Sequence, residues 1–200
     1  MNSPSRKEDK LSAATAVLLK NVDSSDAQLT RRAQRGDRLA FAGLIERHER
    51  VIYNLSFRML GDADDARDAT QATFVKAFLS VKAFDPSRRF YSWIYRIGVN
   101  ECLNEIRKKS GRMELDDGLV DATLGPAEEF EKAELRLHVR AALRRIPAND
   151  RVVIILRHYL DRSYREMAEI LDIPEKTVKS RLYTARQRLA SLLLPTGEIV

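Results

Sequence analysis

A single cysteine, Cys102, leaves this chain of 200 residues without an internal disulfide, and no Cys or His stands beside it at zinc-ligand spacing. Covalent staples and a structural zinc are thereby excluded, and a reducing compartment, the cytoplasm, is expected. No apolar run approaches the roughly 20 residues that cross a bilayer. The apolar patch in MNSPSRKEDKLSAATAVLLK is too short for a secretory leader. Glycine (8) and proline (6) are scarce, so few positions interrupt a helix. The means of catalysis are also missing. His48, His138 and His158 fall on separate predicted helices with no ligand spacing between them, and acid pairs such as Glu128 and Glu129 have no nucleophile or Gly-rich phosphate loop to work with. No active site, metal, cofactor or small-molecule substrate is expected, and direct membrane insertion is not either.

What the chain does have is charge and helical periodicity. Lys and Arg number 35 against 29 Asp and Glu, a formal net charge of +6 that suits a polyanionic partner. Apolar residues recur at intervals of three and four, which predicts an all-α protein: two small helical domains joined by a flexible linker. Residues 1–25 read as a loose polar tail, 26–112 as the first module, 113–127 as linker, 128–194 as the second module, and 195–200 as a tail. In the first module one helix is predicted from Asp37 as cap to Gly61 as stop, and a second from Asp62–Asp64 to Leu79. That second helix carries Ala69, Ala72, Phe74, Val75, Phe78 and Leu79 as its apolar residues. A polar loop over Asp85–Tyr91 precedes a third helix, from Ser92 into the basic end RKKSGR. The second module is predicted to hold helices at Glu129–Ile146, Asn149–Tyr159, Ser163–Leu171 and Glu175 to about Leu193. The run Val152–Leu156 reads as a strand on β-propensity, but a helical chain offers it no strand partner.

The segment SYREMAEILDIPEKTVKSRLYTARQRL has the features of a helix-turn-helix. Ser163 and Glu166 are spaced for a capping box, Ala168 permits close helix approach, and Asp172-Ile173-Pro174 makes a tight turn. On the following helix Val178, Leu182 and Ala185 form the buried face. Five basic residues against one acid between Glu175 and Leu189 give that helix +4, as expected of a helix docked on phosphates. Lys176, Thr177, Lys179, Ser180, Tyr183 and Thr184 are candidates for base or near-base contacts, and Arg181, Arg186 and Arg188 for phosphate contacts. A solvated basic face on a structural helix pair is the plain alternative.

In the first module Asp68, Gln71 and Lys76 surround Phe74 and Val75, a mixed surface suited to a partner helix pair. Asp62, Asp64, Asp65 and Asp68 also load the first turns of that helix, where capping and dipole compensation explain them. Farther on, Arg88, Arg89, Phe90, Tyr91, Trp93, Tyr95, Arg96 and Asn100 combine cations with aromatic rings, which separated DNA strands require. For Trp93 and Tyr95 a core position is the competing reading. Glu114–Glu134 carries eight acids and one lysine, net −7, and reads by itself as a solvated spacer.

Three stretches resemble a known family. GDADDARDATQATFVKAF and FYSWIYRIGVNECLNEIRKK are similar to regions 2.2 and 2.3–2.4, and PANDRVVIILRHYLDRSYREMAEILDIPEKTVKSRLYTARQRL to region 4, of the extracytoplasmic-function sigma factors of the sigma-70 family. The resemblance implies a bacterial initiation factor that brings core RNA polymerase to promoter DNA. It implies that the Asp68/Gln71 helix binds the clamp helices of the β′ subunit and that the β flap is a second polymerase contact. It further implies that the Arg88–Asn100 segment opens and holds the −10 element, with a flipped base received near Asp85–Tyr91, and that the helix-turn-helix reads the −35 element. The acidic linker would thread the polymerase cleft, and an anti-sigma factor would regulate the protein. From the residues alone, a free-standing dimeric helix-turn-helix regulator stays open, as does an enzyme acting on nucleic acid, although no acidic or metal constellation favours the latter.

Overall fold

The computed structural model describes residues 25–110 and 137–193, and every regular element among them is helical. The first module holds α1 (Asp26–Gln34), α2 (Arg38–Leu60), α3 (Ala63–Ser80) with a 3-10 turn at Val81–Ala83, and α4 (Phe90–Ser110). The second holds α5 (137–145), α6 (Ala148–Ile154) continuing as a π-helical turn over Ile155–Tyr159, α7 (Tyr164–Leu171) and α8 (Glu175–Leu193). Of the expected tails at 1–25 and 195–200, all but Ser25, which caps α1, lie outside the described residues, as do the linker at 113–127 and the start of the Glu129–Ile146 helix.

Each boundary has a local cause. Asp37 accepts from the backbone N–H groups of Leu39 and Ala40, both at 3.0 Å, and so caps α2. Gly61 ends it with φ +79°, a left-handed conformation in which its N–H reaches Phe57 O at 2.8 Å. Asp62 then caps α3, accepting from the N–H groups of Asp64 and Asp65 at 2.9 Å. The capping role expected of these acids is thus carried by Asp62. Helix α1 was not marked by periodicity because only Leu29, Thr30 and Ala33 are buried on its nine residues. A capping box between Ser25 and Gln28 starts it. His48 and Arg47 of α2 hold its Asp26 carboxylate at 2.7 and 3.0 Å.

Helices α2, α3 and α4 pack together around Leu44, Ile52, Leu55, Met59, Phe74, Ile94 and Val99. The Val152–Leu156 run is helical and buried, as packing in an all-α chain demands. It belongs to the same apolar cluster as Leu55 and Met59, so the hydrophobic core runs on from one module into the other. Arg151 spans the seam between them. Its guanidinium is buried and donates to Met59 O in the last turn of α2, to Arg144 O at 2.7 Å and to Ile146 O at 3.3 Å. Two cation–ring contacts flank it: Arg58 lies 4.4 Å from the Tyr159 centroid, and Arg140 5.2 Å from that of Phe57.

Candidate nucleic-acid and polymerase interfaces

The helix-turn-helix forms as its residues predict. Ser163 caps α7, and Glu166 closes the box from the third position. Asp172 makes the turn in the left-handed region, φ 56°, which short polar side chains tolerate. Val178, Leu182 and Ala185 are buried beneath α8. On the outer face Lys176, Lys179, Ser180, Tyr183 and Thr184 are exposed, Tyr183 at 67% for a large ring, while Thr177 and Arg181 are half-buried.

The cations of this face differ in their partners. Lys179 pairs with Glu175 at 2.8 Å, which raises its pKa, and its ammonium sits 5.4 Å from the Tyr164 ring centroid. Arg186 directs Nε and Nη2 to His158 Nε2 at 3.3 and 3.2 Å. Burial, then Arg186 and Arg157, keep the His158 pKa below its usual value. Arg188 is bonded to Asp150, whose side chain is only 10% exposed. Arg188 therefore braces α8 against α6, while half of its own side chain stays exposed.

The second strip lies at the start of α4 and departs from the expected polar loop. The helix begins at Phe90, so Phe90 and Tyr91 are helical, and only residues up to Arg89 precede it. Phe90 is 3% exposed, with Phe84 6.0 Å, Trp93 5.5 Å and His48 5.3 Å from its ring. It is a core residue, a correction to its place among the surface candidates. The physical reason is that α4 starts two residues early and turns this ring onto α2. Trp93 is half-buried, its ring tilted against Phe84 at 4.7 Å, and Tyr95 is buried, in keeping with the core reading of both. Arg88, Arg89 and Asn100 are exposed, while Tyr91 and Arg96 are half-buried.

Three of these side chains touch the other module. Tyr91 OH donates to Glu166, and Arg89 Nη1 reaches Tyr91 OH at 2.8 Å and Glu166 Oε1 at 3.4 Å. Arg96 donates to Glu169 O and pairs with Asp172 at 3.3 Å. Ser92 Oγ stands 3.3 Å from Glu169 Oε2. The Tyr91 hydrogen bond, followed by the Ser163 bonds and the Arg162 charge, holds the Glu166 carboxyl down at about 2.

On α3 the two apolar stripes separate. Ala66, Ala69, Thr70, Thr73, Phe74 and Ala77 face the core. Phe74, at 7% exposure, is therefore not a surface residue, a second correction that follows from its being in phase with those small residues. Val75 (51%), Phe78 and Leu79 (76%) lie together on the outside, with Asp68, Gln71 and Lys76 exposed around them. Lys76 pairs with Glu101 of α4 at 2.6 Å. Phe78 and Leu79 are absent from the residues expected on this surface; the i, i+3, i+4 stripe through Val75 is the signal in the sequence that marks them.

Comparison with known proteins bears on these surfaces. Residues 44–112 match the model of Sigma-70 region 2, and residues 136–189 that of Sigma-70, region 4. The ECF RNA polymerase sigma factor SigW of Bacillus subtilis is 33% identical over 176 residues, spanning 82% of this chain and 94% of its own. The chain belongs to the extracytoplasmic-function sigma factors. Among solved structures, CnrH in complex with the cytosolic domain of CnrY superposes with a TM-score of 0.65 at 27% identity, over 85% of this chain and 97% of CnrH. The sigma factor RpoE of Bartonella quintana, solved with the anti-sigma factor NepR, shares the fold with a TM-score of 0.61 at 23% identity, over 80% and 98%. In this sigma factor, among the described residues, no helix is long and apolar enough to cross a membrane, and no cluster of His, Cys, Asp and Glu is arranged to hold a metal.

Proposed function

We propose that this sigma factor binds core RNA polymerase through the exposed stripe of α3, captures the −10 strand with the start of α4, and reads the −35 duplex with α8, in the cytoplasm of a bacterium. The observation that carries the reading is one chain presenting three chemically different surfaces. A protruding apolar stripe with a polar rim suits a helix pair of the β′ clamp: Val75, Phe78 and Leu79 supply the buried contact, and Asp68, Gln71 and Lys76 the rim. Arg88, Arg89, Tyr91, Arg96 and Asn100 supply charge and one ring edge for an unpaired strand, with Trp93 at their border. Lys176, Thr177, Lys179, Ser180, Tyr183 and Thr184 supply major-groove contacts, and Arg181 and Arg186 supply phosphate contacts. Residues 26–112 and 128–194 are the two working modules, with the acidic segment 113–127 crossing between them inside the polymerase. The β flap would meet the second module, and an anti-sigma factor would hold the protein inactive. Phosphodiester chemistry remains the polymerase's.

The test is reconstitution. The purified chain, core polymerase and promoter DNA should yield start-specific transcripts. Lys179→Ala should weaken −35 binding with sequence preference, whereas Arg186→Ala should weaken all duplexes nearly equally and lower the salt slope of binding by about 1. Absence of start-specific transcripts, or unchanged duplex affinity in both variants, would overturn the assignment.

A further inference from the structure

The contacts between α4 and α7 join the side chains offered to single-stranded DNA to three carboxylate-bearing residues of the helix-turn-helix. Arg89 and Tyr91 meet Glu166, and Arg96 meets Glu169 O and Asp172. A phosphodiester backbone would offer Arg89 and Arg96 the anionic oxygens that Glu166 and Asp172 offer them here, while Glu169 contributes a main-chain carbonyl to Arg96 and its carboxylate to Ser92. Among the described residues, other side chains assigned to DNA are not covered in this way. Lys176, Tyr183 and Thr184 on α8 stay exposed, as do Arg88 and Asn100 at the edges of the α4 strip.

We infer that the free chain closes one of its two DNA-reading surfaces on itself: the acidic side of α7 docks on the strand-capture strip of α4 in place of single-stranded DNA, while the duplex-reading face of α8 stays open. This inference rests on the promoter-reading assignment of α4 and α8.

Three physical features support it. The carboxylates are not all required by the helix-turn-helix itself. Glu166 completes the cap of α7, but a glutamine would complete it equally, and the left-handed position of Asp172 would accept asparagine. Glu169 has a local partner in Arg165 at 3.6 Å, an exposed i,i+4 pair of small worth. The docked arrangement also does not hang on these ion pairs alone. The buried Arg151 bridge to Met59 O and the shared apolar core hold the modules side by side at α2, and closure of α7 over the α4 strip is left to the polar and charged contacts of the seam. Arg162 adds its guanidinium over the rings of Tyr91, at 5.3 Å, and Tyr95, at 5.9 Å. Strand capture must then displace an internal competitor, and apparent affinity falls by the fraction of chains that stand open. Duplex reading carries no such penalty.

The experiment uses the full chain and compares the wild type with Glu166→Gln/Glu169→Gln/Asp172→Asn. A control of equal charge change, Glu46→Gln/Glu49→Gln/Asp64→Asn, alters exposed acids away from the seam. The probes are a fluorescein-labelled 12-nucleotide single strand of random sequence and a labelled duplex of random sequence, at one fixed salt concentration. The seam variant should bind the single strand roughly tenfold more tightly than the control, as expected when an open fraction near one-tenth becomes the majority. Its duplex affinity should match the control's. Equal single-strand affinity in the two variants overturns the docking, as does a gain shared equally by strand and duplex, which is a bulk charge effect. These measurements need no polymerase, so failure to make start-specific transcripts strikes the promoter reading and leaves this result to stand or fall separately.

Discussion

Arg151 joins the two halves of the molecule through buried main-chain carbonyls. Burial holds its pKa down to about 10, and its donors satisfy carbonyls of Met59, Arg144 and Ile146. Replacing it with alanine would strand buried carbonyl oxygens at the end of α2 and open a void. Arg151→Ala should lower unfolding free energy by about 3 kcal/mol, read from the midpoint of chemical denaturation; an unchanged midpoint would show that water replaces the guanidinium without loss. Glu166 makes a pH prediction. Its pKa falls from 4.5 to about 2 on folding, with the Tyr91 hydroxyl as the leading cause. The folded state therefore prefers the charged carboxylate, and the resulting stability is complete above 4.5 and disappears as pH falls through about 2. The wild type should exceed Glu166→Gln in stability at pH 6, with the gap closing across that window. Equal stability of the two at pH 6 would mean that the cap, which glutamine also completes, accounts for the residue without its charge. Cys102 presents the opposite case. Burial pushes its thiol up to about 11, which leaves it a packing group with little thiolate for redox chemistry.

The helices owe their boundaries to single side chains, and Gly61 is the most exacting of these positions. It ends α2 at φ +79°, and a Cβ there would stand 2.9 Å from Arg144 Cδ of the other module. Gly61→Ala should cost about 1–2 kcal/mol from backbone strain, seen as a lowered thermal midpoint. The same change should leave Gly36 substitutions as a useful contrast, since Gly36 is also left-handed at φ +93° but has open space around it. Boundaries of this kind were legible in the residues: Asp37, Gly61, Asp62, Ser163 with Glu166, and Asp172 each fall where the local chemistry places them. The start of α4 was not. The loop residues from Asp85 to Arg89 favour a turn, but the ring of Phe90 gains its burial only by being pulled into the helix against Phe84 and His48. That gain depends on neighbours distant in sequence.

In the assembled molecule the exposed stripe of α3 is a large apolar feature without a described cover. Leu79→Asp should leave the thermal midpoint within about 0.5 kcal/mol of stability, as for a surface substitution. It should weaken the complex with core polymerase at least roughly tenfold, since a charge would replace a central apolar contact. Surface-captured polymerase titrated with each chain measures the difference, and equal affinities would move the polymerase contact elsewhere on the protein. The stripe and the core face of the same helix also show where periodicity stops being informative. Six apolar or small residues on one face and three on the other describe two stripes, and only the packing of α2 and α4 on the helix decides which one is covered.

The residues of the chain determine by themselves that it is all-helical, where most helices begin and end, and that a basic helix-turn-helix follows a module rich in arginine and aromatic side chains. These properties depend on hydrogen bonds and spacings within a few residues of one another, so they can be read along the chain. The packing together of distant segments decides the rest. It puts Phe90 and Phe74 inside, turns Arg188 into a brace on Asp150, and sets the acidic side of α7 against Arg89, Tyr91 and Arg96. Charge composition is silent on such pairings, because a carboxylate is drawn to any cation within reach, and reach is a property of the folded chain.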